Sequence, residues 1–131
     1  MTENKKENLN NRMIKFLFEG APVRGACVQM AEEWQEMIKF HHYPENVAAL
    51  LGQFTAGALL LSSTIKFEGS LILQVKGSGP IAFIYAEVRN PMSVRAMAEI
   101  REWAEIKPEM DLQELINKDG KGLCALILDP K

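Results

Sequence analysis

The chain has 131 residues, the size of one domain or of a part of one. Hydrophobic residues make up 47% of it and charged residues 24%, a globular composition that excludes intrinsic disorder. The 15 basic and 17 acidic residues give a formal net charge of −2, so electrostatics gives nucleic acid little reason to bind.

The cysteine count and the apolar runs suggest a cellular location. Cys27 and Cys124 are too few for a disulfide framework and lack C-x-x-C spacing. The first twelve residues, MTENKKENLNNR, have no apolar core of the kind found in signal peptides. The longest apolar stretch, residues 47–61, is shorter than the ~18 residues that span a bilayer. We therefore expect a cytoplasmic, reducing location and no membrane partner.

The chain begins with a polar segment and two predicted strands. Residues 1–12 are polar, and we expect them to form a frayed tail. In MIKFLF, residues 13–18, the apolar side chains recur at period 2 and predict a strand with one apolar face: Ile14, Phe16 and Phe18. A turn-forming G-A-P follows, and VRGACVQM, residues 23–30, predicts a second strand.

Two helices follow. The first is amphipathic and ends near HHYP, because one set of apolar residues recurs at helical spacing: Met30, Trp34, Met37, Ile38 and His41. The second, 47–61, is apolar nearly all round and is expected in the middle of the fold. Its principal stripe consists of Val47, Leu50, Leu51, Phe54, Ala58 and Leu61.

The second half of the chain is mostly β. Residues 71–76 alternate in polarity, and in 81–88 both faces are apolar, so we expect that strand to be covered on both sides. In it, Ile81, Phe83 and Tyr85 share one face. Residues 94–100 have the composition of a helix but the alternation of a strand, and the alternation is preferred.

A short helix and a strand complete the chain. Asp111 is expected to cap the helix, with Gly120 or Gly122 stopping it, and LCALIL, 123–128, predicts the last strand. The segregated order of elements predicts an α+β fold, in which mostly antiparallel sheets pack with two consecutive helices and one short helix.

The glycines of KGSGPIA raise the question of a dinucleotide site, because Gly77, Gly79 and Ala82 match G-x-G-x-x-G/A. Such a loop needs a helix after it, whose N-terminus faces the pyrophosphate. The run that follows is too short for a crossover helix and is rich in β-formers. A hairpin turn is therefore the preferred interpretation, and we expect no cofactor.

Other residues suggest chemistry less strongly than they suggest structure. Cys27 could act as a nucleophile if His41 or His42 lay beside it, but a buried, inert thiol is preferred. Cys124 is expected in the core. The four Cys and His residues lack paired zinc-ligand spacings. Arg24, in a tight turn, is interpreted as half of a buried or partner-facing ion pair, with anion binding the weaker alternative.

Several segments, in this order and spacing, resemble a known family. They are the VRG turn (residues 23–25), YP (43–44), IKFEG (65–69), KGSGP (76–80) and the DLQELI…GKGLCALIL tail. Over most of residues 13–128 the chain resembles the amino-terminal domain of the redox-regulated holdase known as the 33-kDa heat-shock protein. The resemblance implies a single, truncated chaperone core domain over 13–131, and it also favours the strand at 94–100.

The resemblance further implies a chaperone that holds unfolding proteins without ATP and is switched on by oxidation. In that family the switch is a zinc module of four cysteines, in C-x-C and C-x-x-C pairs, joined through a linker that unfolds. This sequence contains neither pair, so no zinc ligand is carried over to it. We expect a fragment of a longer chain, or a naturally short relative.

The preferred hypothesis is a client-binding core domain without catalysis, metal or cofactor of its own. Candidate client or interface residues lie along the second helix and the 81–88 strand, although core packing explains them equally well: Phe54, Leu59, Leu60, Ile81, Phe83 and Tyr85. Uncovered sheet edges predict a homodimer or higher oligomer. The alternatives are a dimerisation scaffold without client binding of its own and, less favoured, a small thiol enzyme using Cys27.

Overall fold

Six strands and three helices make up the computed structural model, which describes residues 11–39, 41–65, 68–89 and 93–130. They follow the order β1 (Asn11–Leu17), β2 (Arg24–Met30), α1 (Glu32–Lys39), α2 (Glu45–Thr64), β3 (Gly69–Lys76), β4 (Ile81–Arg89), β5 (Ser93–Ile100), α3 (Leu112–Ile116) and β6 (Leu123–Pro130). Residues 11 and 12, predicted to belong to the frayed tail, are part of β1. The rest of that tail, residues 1–10, lies outside the described residues.

The strands form two antiparallel sheets, which confirms the α+β prediction. β1 and β2 form a hairpin whose register runs from Asn11 opposite Met30 to Leu17 opposite Arg24. The other four strands are ordered β5-β4-β3-β6, with every neighbouring pair antiparallel. β6 therefore returns to pair with β3 and forms one edge of the sheet, while β5 forms the other.

Helix α2 packs across one face of the four-stranded sheet. Five of its side chains are buried: Val47, Leu51, Thr55, Ala58 and Leu59. Thr55 is polar, but its Oγ1 donates to the Leu51 carbonyl at 2.7 Å, so its burial leaves no unsatisfied group. The prediction that Leu61 belongs to the buried stripe is wrong, since Leu61 is 38% exposed. Ile65, directly after the helix, still packs against the core, so Leu61 is exposed because it lies at the side of the face that buries Ala58 and Leu59.

Helix α2 has 20 residues and is long and apolar enough to cross a membrane by length and composition. The expectation that this stretch is too short for a span is thus wrong. The core helix of a soluble protein satisfies the same criteria, and α2 contributes residues to both apolar core clusters of the chain.

A β-bulge early in β4 changes which residues share a face. The pairing with β5 shifts between Ile81 and Phe83, so Ile81 is buried in the same cluster as Ile84. Phe83 and Tyr85 lie on the opposite face. The prediction that Ile81, Phe83 and Tyr85 share a face is wrong, because a bulge inserts one residue and inverts the alternation. On that second face Phe83 and Tyr85 are partly buried and Glu87 is buried, while Met97, opposite Tyr85 on β5, is exposed, so coverage of both sides of β4 stays a prediction.

Strand β5 is confirmed, with Val94 and Ala98 buried against the helical layer. Its outer edge is protected by the chain that leads into α2. The Ala98 N–H donates to the Tyr43 hydroxyl at 3.2 Å, and the Tyr43 ring packs against the core. A backbone donor that would otherwise invite another strand is thereby used within the molecule.

The glycine-rich segment is a hairpin turn between β3 and β4, as predicted. The Arg101 guanidinium fastens it, with Nε donating to the Gly79 carbonyl at 2.9 Å and Nη2 to the Gly77 carbonyl at 2.7 Å. Both glycines touch the backbone of α3, and a Cβ on Gly79 would lie 2.5 Å from the Leu115 carbonyl oxygen. Glycine is required here because a helix end packs directly on the turn.

The short helix α3 begins as predicted and ends earlier than predicted. Asp111 is its N-cap, and its Oδ1 accepts the Glu114 N–H at 3.0 Å. The helix ends at Ile116, with Asn117 in a non-helical conformation. The stop assigned to Gly120 or Gly122 is therefore wrong; Gly120, at φ 74°, belongs to the turn that follows.

Replacing Gly79 by alanine should destabilise the fold by about 1–3 kcal/mol, because the new methyl group overlaps backbone atoms that cannot rotate away. Gly57→Ala in α2 is the matched control: a Cβ there meets nothing within 4 Å. That variant should gain about 0.5–1 kcal/mol, because alanine loses less backbone entropy in a helix. Urea unfolding measures both, and equal effects would contradict the close approach at the turn.

Candidate functional site

A groove lined mainly by apolar residues lies between the hairpin and the C-terminal half of α2, and is called the apolar groove below. Gly57, Leu60 and Leu61 line its helix side, Leu17 of β1 lines the hairpin side, and Leu73 of β3 also contributes. Its volume is about 1000 Å³. Leu17 is 80% exposed, which is unusual for a leucine within a strand.

The groove exists because the hairpin is attached at one end only. Met13, Val28 and Met30, near the end of the hairpin away from its turn, pack against the core cluster that contains Leu59. Leu17, next to the turn, lacks such an attachment among the described residues. The turn end therefore stands away from α2 and leaves Leu60 and Leu61 only partly covered.

The hairpin face that points away from this core is also apolar. The period-2 stripe recognised in the sequence lies here, and its side chains are exposed together with that of Val23, the residue before β2: Ile14, Phe16, Phe18 and Val23. The Phe16 and Phe18 ring centroids are 5.8 Å apart, and the Phe16 ring lies against Gly25. The sequence pattern thus identifies a real apolar face, but one without a covering layer in the described chain.

Strand β6 is exposed on both faces. Its exposed apolar side chains are Leu123, Leu126, Ile127 and Leu128. Leu126 is opposite Leu73, a residue that lines the apolar groove, so the exposed apolar surface continues from the groove onto β6. Within the described residues, only β3 pairs with this strand, so one of its edges is open.

Both cysteines are exposed, so the expectation that they are buried is wrong. Cys124 lies on the open strand β6, and sequence alone could not show that this strand is at an edge. Cys27 lies opposite Ile14 on the uncovered side of the hairpin. The rings of His41 and Tyr43 are stacked, with their centroids 5.1 Å apart. In the described ranges, no hydrogen bond joins Cys27 to a histidine.

Glu87 lies on the face of the four-stranded sheet opposite α2 and is only 6% exposed. Its carboxylate accepts from the Tyr85 hydroxyl at 2.8 Å and from Arg95 Nη2 at 3.2 Å, and Arg89 Nε lies 3.4 Å away. Arg89 Nε also donates to the Ser70 hydroxyl at 3.0 Å.

This network shifts two pKa values in opposite directions. The hydrogen bond from Tyr85 is the largest cause that lowers the pKa of Glu87, followed by Arg89, Ser70 and Arg95, while burial opposes them. Burial, and then the bond to Glu87, raises the pKa of Tyr85. Glu87 is thus a stable carboxylate surrounded by donors. A general base near neutral pH would need the opposite shift.

The six predicted contact residues fall in different places. Leu59 and Ile81 are buried in the core. Phe54 is partly buried and packs against both core clusters. Leu60 lines the apolar groove, while Phe83 and Tyr85 are partly buried on the face of the sheet opposite α2. Nothing in the structure tests client contact by any of them, so this assignment stays a prediction.

Leu17 and Leu61 line the groove and were not among the predicted contacts. The sequence does contain a signal for the first. Phe16, Leu17 and Phe18 are three consecutive apolar residues in a strand, so both faces of that strand are apolar. For Leu61 the helical stripe gave the wrong answer, because this residue lies at the side of the buried face of α2 and borders the groove.

Arg24 also lies at the groove, at the start of β2. It is exposed, and no residue in the described ranges forms an ion pair with it. The expected ion pair is therefore not present within the described chain. The described residues also contain no group of three or more histidine, cysteine, aspartate or glutamate side chains that could hold a metal ion.

Comparison with known proteins identifies the family. A family model described as Hsp33 protein matches residues 11–131. The chain belongs to the Hsp33 family. The 33 kDa chaperonin of Neisseria gonorrhoeae is 38% identical over 124 residues, which cover 95% of this chain and 40% of that protein. The 33 kDa chaperonin of Chromobacterium violaceum is 36% identical over 124 residues, with the same coverage. The chain thus spans about 40% of the length of these relatives.

Membership in the Hsp33 family confirms the resemblance found in the sequence, and the relatives' name supports a chaperone. The zinc module implied by that resemblance needs four cysteines in close pairs, whereas this chain has two, and they lie on separate sheets. The residues of this chain therefore do not fit that module.

The Glu87 network predicts a pH-dependent stability. Because the folded pKa of Glu87 lies below its unfolded value of about 4.3, its contribution is present above that pH and is lost as pH falls through the folded pKa. Tyr85→Phe should cost about 1.5–3 kcal/mol near neutral pH, and the cost should shrink in acid. Urea unfolding at several pH values measures it.

Tyr43→Phe is the matched control, because its hydroxyl bonds the uncharged Ala98 N–H. Its cost should stay constant across the same pH range. A Tyr85→Phe cost that is equally constant would show that Glu87 does not gain its stability from the Tyr85 hydroxyl.

Proposed function

We propose that this chain is the client-binding core of an ATP-independent holdase. The observation that carries the proposal is the continuous exposed apolar surface formed by the groove and β6, linked through the Leu73–Leu126 pair. Monomeric soluble proteins rarely expose apolar patches larger than a few hundred Å², and larger ones mark interaction sites. Family membership supports unfolded proteins as the partner, and ATP has no role in such contact.

The redox part of the proposal concerns the full-length protein. The zinc-binding cysteines that sense oxidation in the family have no counterpart among Cys27 and Cys124, so we assign the switch to the part of full-length relatives that this chain does not span. We assign no cofactor and no catalytic step to the chain itself. We place its activity in the cytoplasm, without nucleic acid or membrane as a partner.

A second candidate function is a dimerisation scaffold, and the open edge of β6 supports it. An edge strand with exposed apolar residues on both faces pairs readily with another strand. Association through β6 is compatible with holding clients, so the scaffold interpretation differs only in placing client contact elsewhere. We propose a homodimer or higher oligomer in both cases.

Dilution of a chemically unfolded client into buffer containing this chain tests the holdase proposal by light scattering. We expect suppressed aggregation with and without peroxide, because the apolar surface is already exposed. No suppression in either condition would favour the scaffold. Suppression only after peroxide would contradict the proposal that the switch lies outside this chain.

The same assay with Leu61→Asp tests the position of the surface. That variant should lose most of the suppression, because a charge is placed in the apolar groove. Leu112→Asp is the matched control, since Leu112 is 47% exposed and Leu61 is 38% exposed, but only Leu61 lines the groove. Equal loss in both variants would contradict contact through the groove.

Sedimentation velocity tests the oligomer. The chain should sediment as a dimer or larger at tens of micromolar, and Ile127→Lys on β6 should shift it towards monomer through like-charge repulsion at the edge. Met97→Lys is the control, because Met97 is 39% exposed and Ile127 is 40% exposed, and both lie on edge strands. Met97 lies on β5, whose edge is protected by Tyr43, so the Met97→Lys variant should still associate. A strictly monomeric chain would overturn the proposal.

A further inference from the structure

The charged residues that line the apolar groove are all basic. Lys15 lies on β1 and Arg24 on β2, and their positions share one face of the hairpin with Leu17. Both are exposed, and neither has an ion-pair partner in the described ranges. The groove therefore combines a large apolar wall with two cationic groups that are available to an anion.

The polar groups on the helix side of the groove offer no competing donor. The Ser63 hydroxyl donates to the Leu60 carbonyl at 2.7 Å, and the Thr64 hydroxyl donates to the Leu61 carbonyl at 2.9 Å. Their protons are used inside α2. Among the side chains that line the groove, the donors available for a carboxylate are thus the Lys15 ammonium and the Arg24 guanidinium.

We propose that the apolar groove selects extended apolar segments of unfolded polypeptide that carry aspartate or glutamate beside their apolar side chains. This inference rests on the proposed client binding and adds the class of client. Apolar side chains would lie against Leu60, Leu61 and Leu73, and the carboxylate would face Lys15 and Arg24. The groove volume of about 1000 Å³ leaves room for several side chains of such a segment.

Three labelled peptides test the charge preference. They share one sequence of leucine, phenylalanine and valine, with two flanking positions occupied by aspartate, serine or lysine. Fluorescence anisotropy should rank their affinities aspartate, serine, lysine. We expect the aspartate and lysine peptides to differ about threefold to tenfold at low salt, because two partly exposed ion pairs contribute modestly, and less as salt is added.

Charge reversal in the groove should invert that order. The variant that combines Lys15→Glu and Arg24→Glu should bind the lysine peptide most tightly. The matched control combines Lys107→Glu and Lys121→Glu, which are exposed, lie away from the groove and change the net charge equally. It should keep the original order. Circular dichroism checks that both variants are folded.

The outcomes separate this inference from the proposed function. Binding of none of the peptides would overturn client binding itself. Equal binding of all three, or an order that survives charge reversal, would overturn the charge preference while leaving client binding in place.

A second copy of the chain, whose β6 carries Asp129 next to Leu128, is a competing occupant that the binding assay distinguishes. If a second copy filled the groove, peptide affinity would fall as the chain concentration rises and sedimentation would show dimers losing the peptide. That result would also overturn the inference.

Discussion

The burial of α2 between the four-stranded sheet and the β1–β2 hairpin is the constraint on which the rest of the fold depends. Val47 and Leu51 belong to one core cluster and Ala58 and Leu59 to the other, while Phe54 packs against both. Each large buried side chain contributes about 1.5–3 kcal/mol, so neither sheet has a comparable core without this helix. One helix thus supplies core residues to both sheets, and no strand of one sheet is hydrogen-bonded to a strand of the other within the described residues.

That arrangement also explains why so much apolar surface remains outside the core. The core continues to the C-terminal end of α2, where Ile65 still packs against it. Leu60 and Leu61 lie at the side of the helix, next to a hairpin that is attached only at its far end. The groove is therefore a consequence of the way the hairpin is anchored. It requires no separate binding element.

Features decided by neighbours in sequence were predictable. The β1 alternation, the Asp111 cap and the glycine turn each depend on a few adjacent residues, and the structure agrees with all three. The faces of a strand, unlike a turn, also depend on residues that are distant in sequence. The bulge after Ile81 depends on pairing with β5, and it placed Ile81 on the face opposite the predicted one. The sequence of one strand does not specify its register with a distant strand, so such a bulge could not be predicted from it.

The candidate site shows the same division. The sequence identified apolar residues on α2 and β4, but it could not separate those in the core from those outside it. Leu59 and Leu60 are adjacent, equally apolar and differently covered, because consecutive helical residues point about 100° apart and only Leu59 faces the core. The exposure of Cys124 likewise follows from strand order, which places β6 beside β3 and at an edge. The proposal of a chaperone came from family membership. No cluster of side chains in the described ranges indicates that function by itself.

The Tyr43–Ala98 hydrogen bond has a consequence for the geometry of assembly. With the β5 edge occupied, β6 is the open edge that the described four-stranded sheet presents to another copy. Antiparallel pairing of β6 with its own counterpart around a two-fold axis uses the same patch on both copies, which is an isologous contact and closes on itself. The joined sheet would then have β5 at both of its ends. In that arrangement growth would stop at two copies, which would let a chain with this much exposed apolar surface pair without forming a fibre.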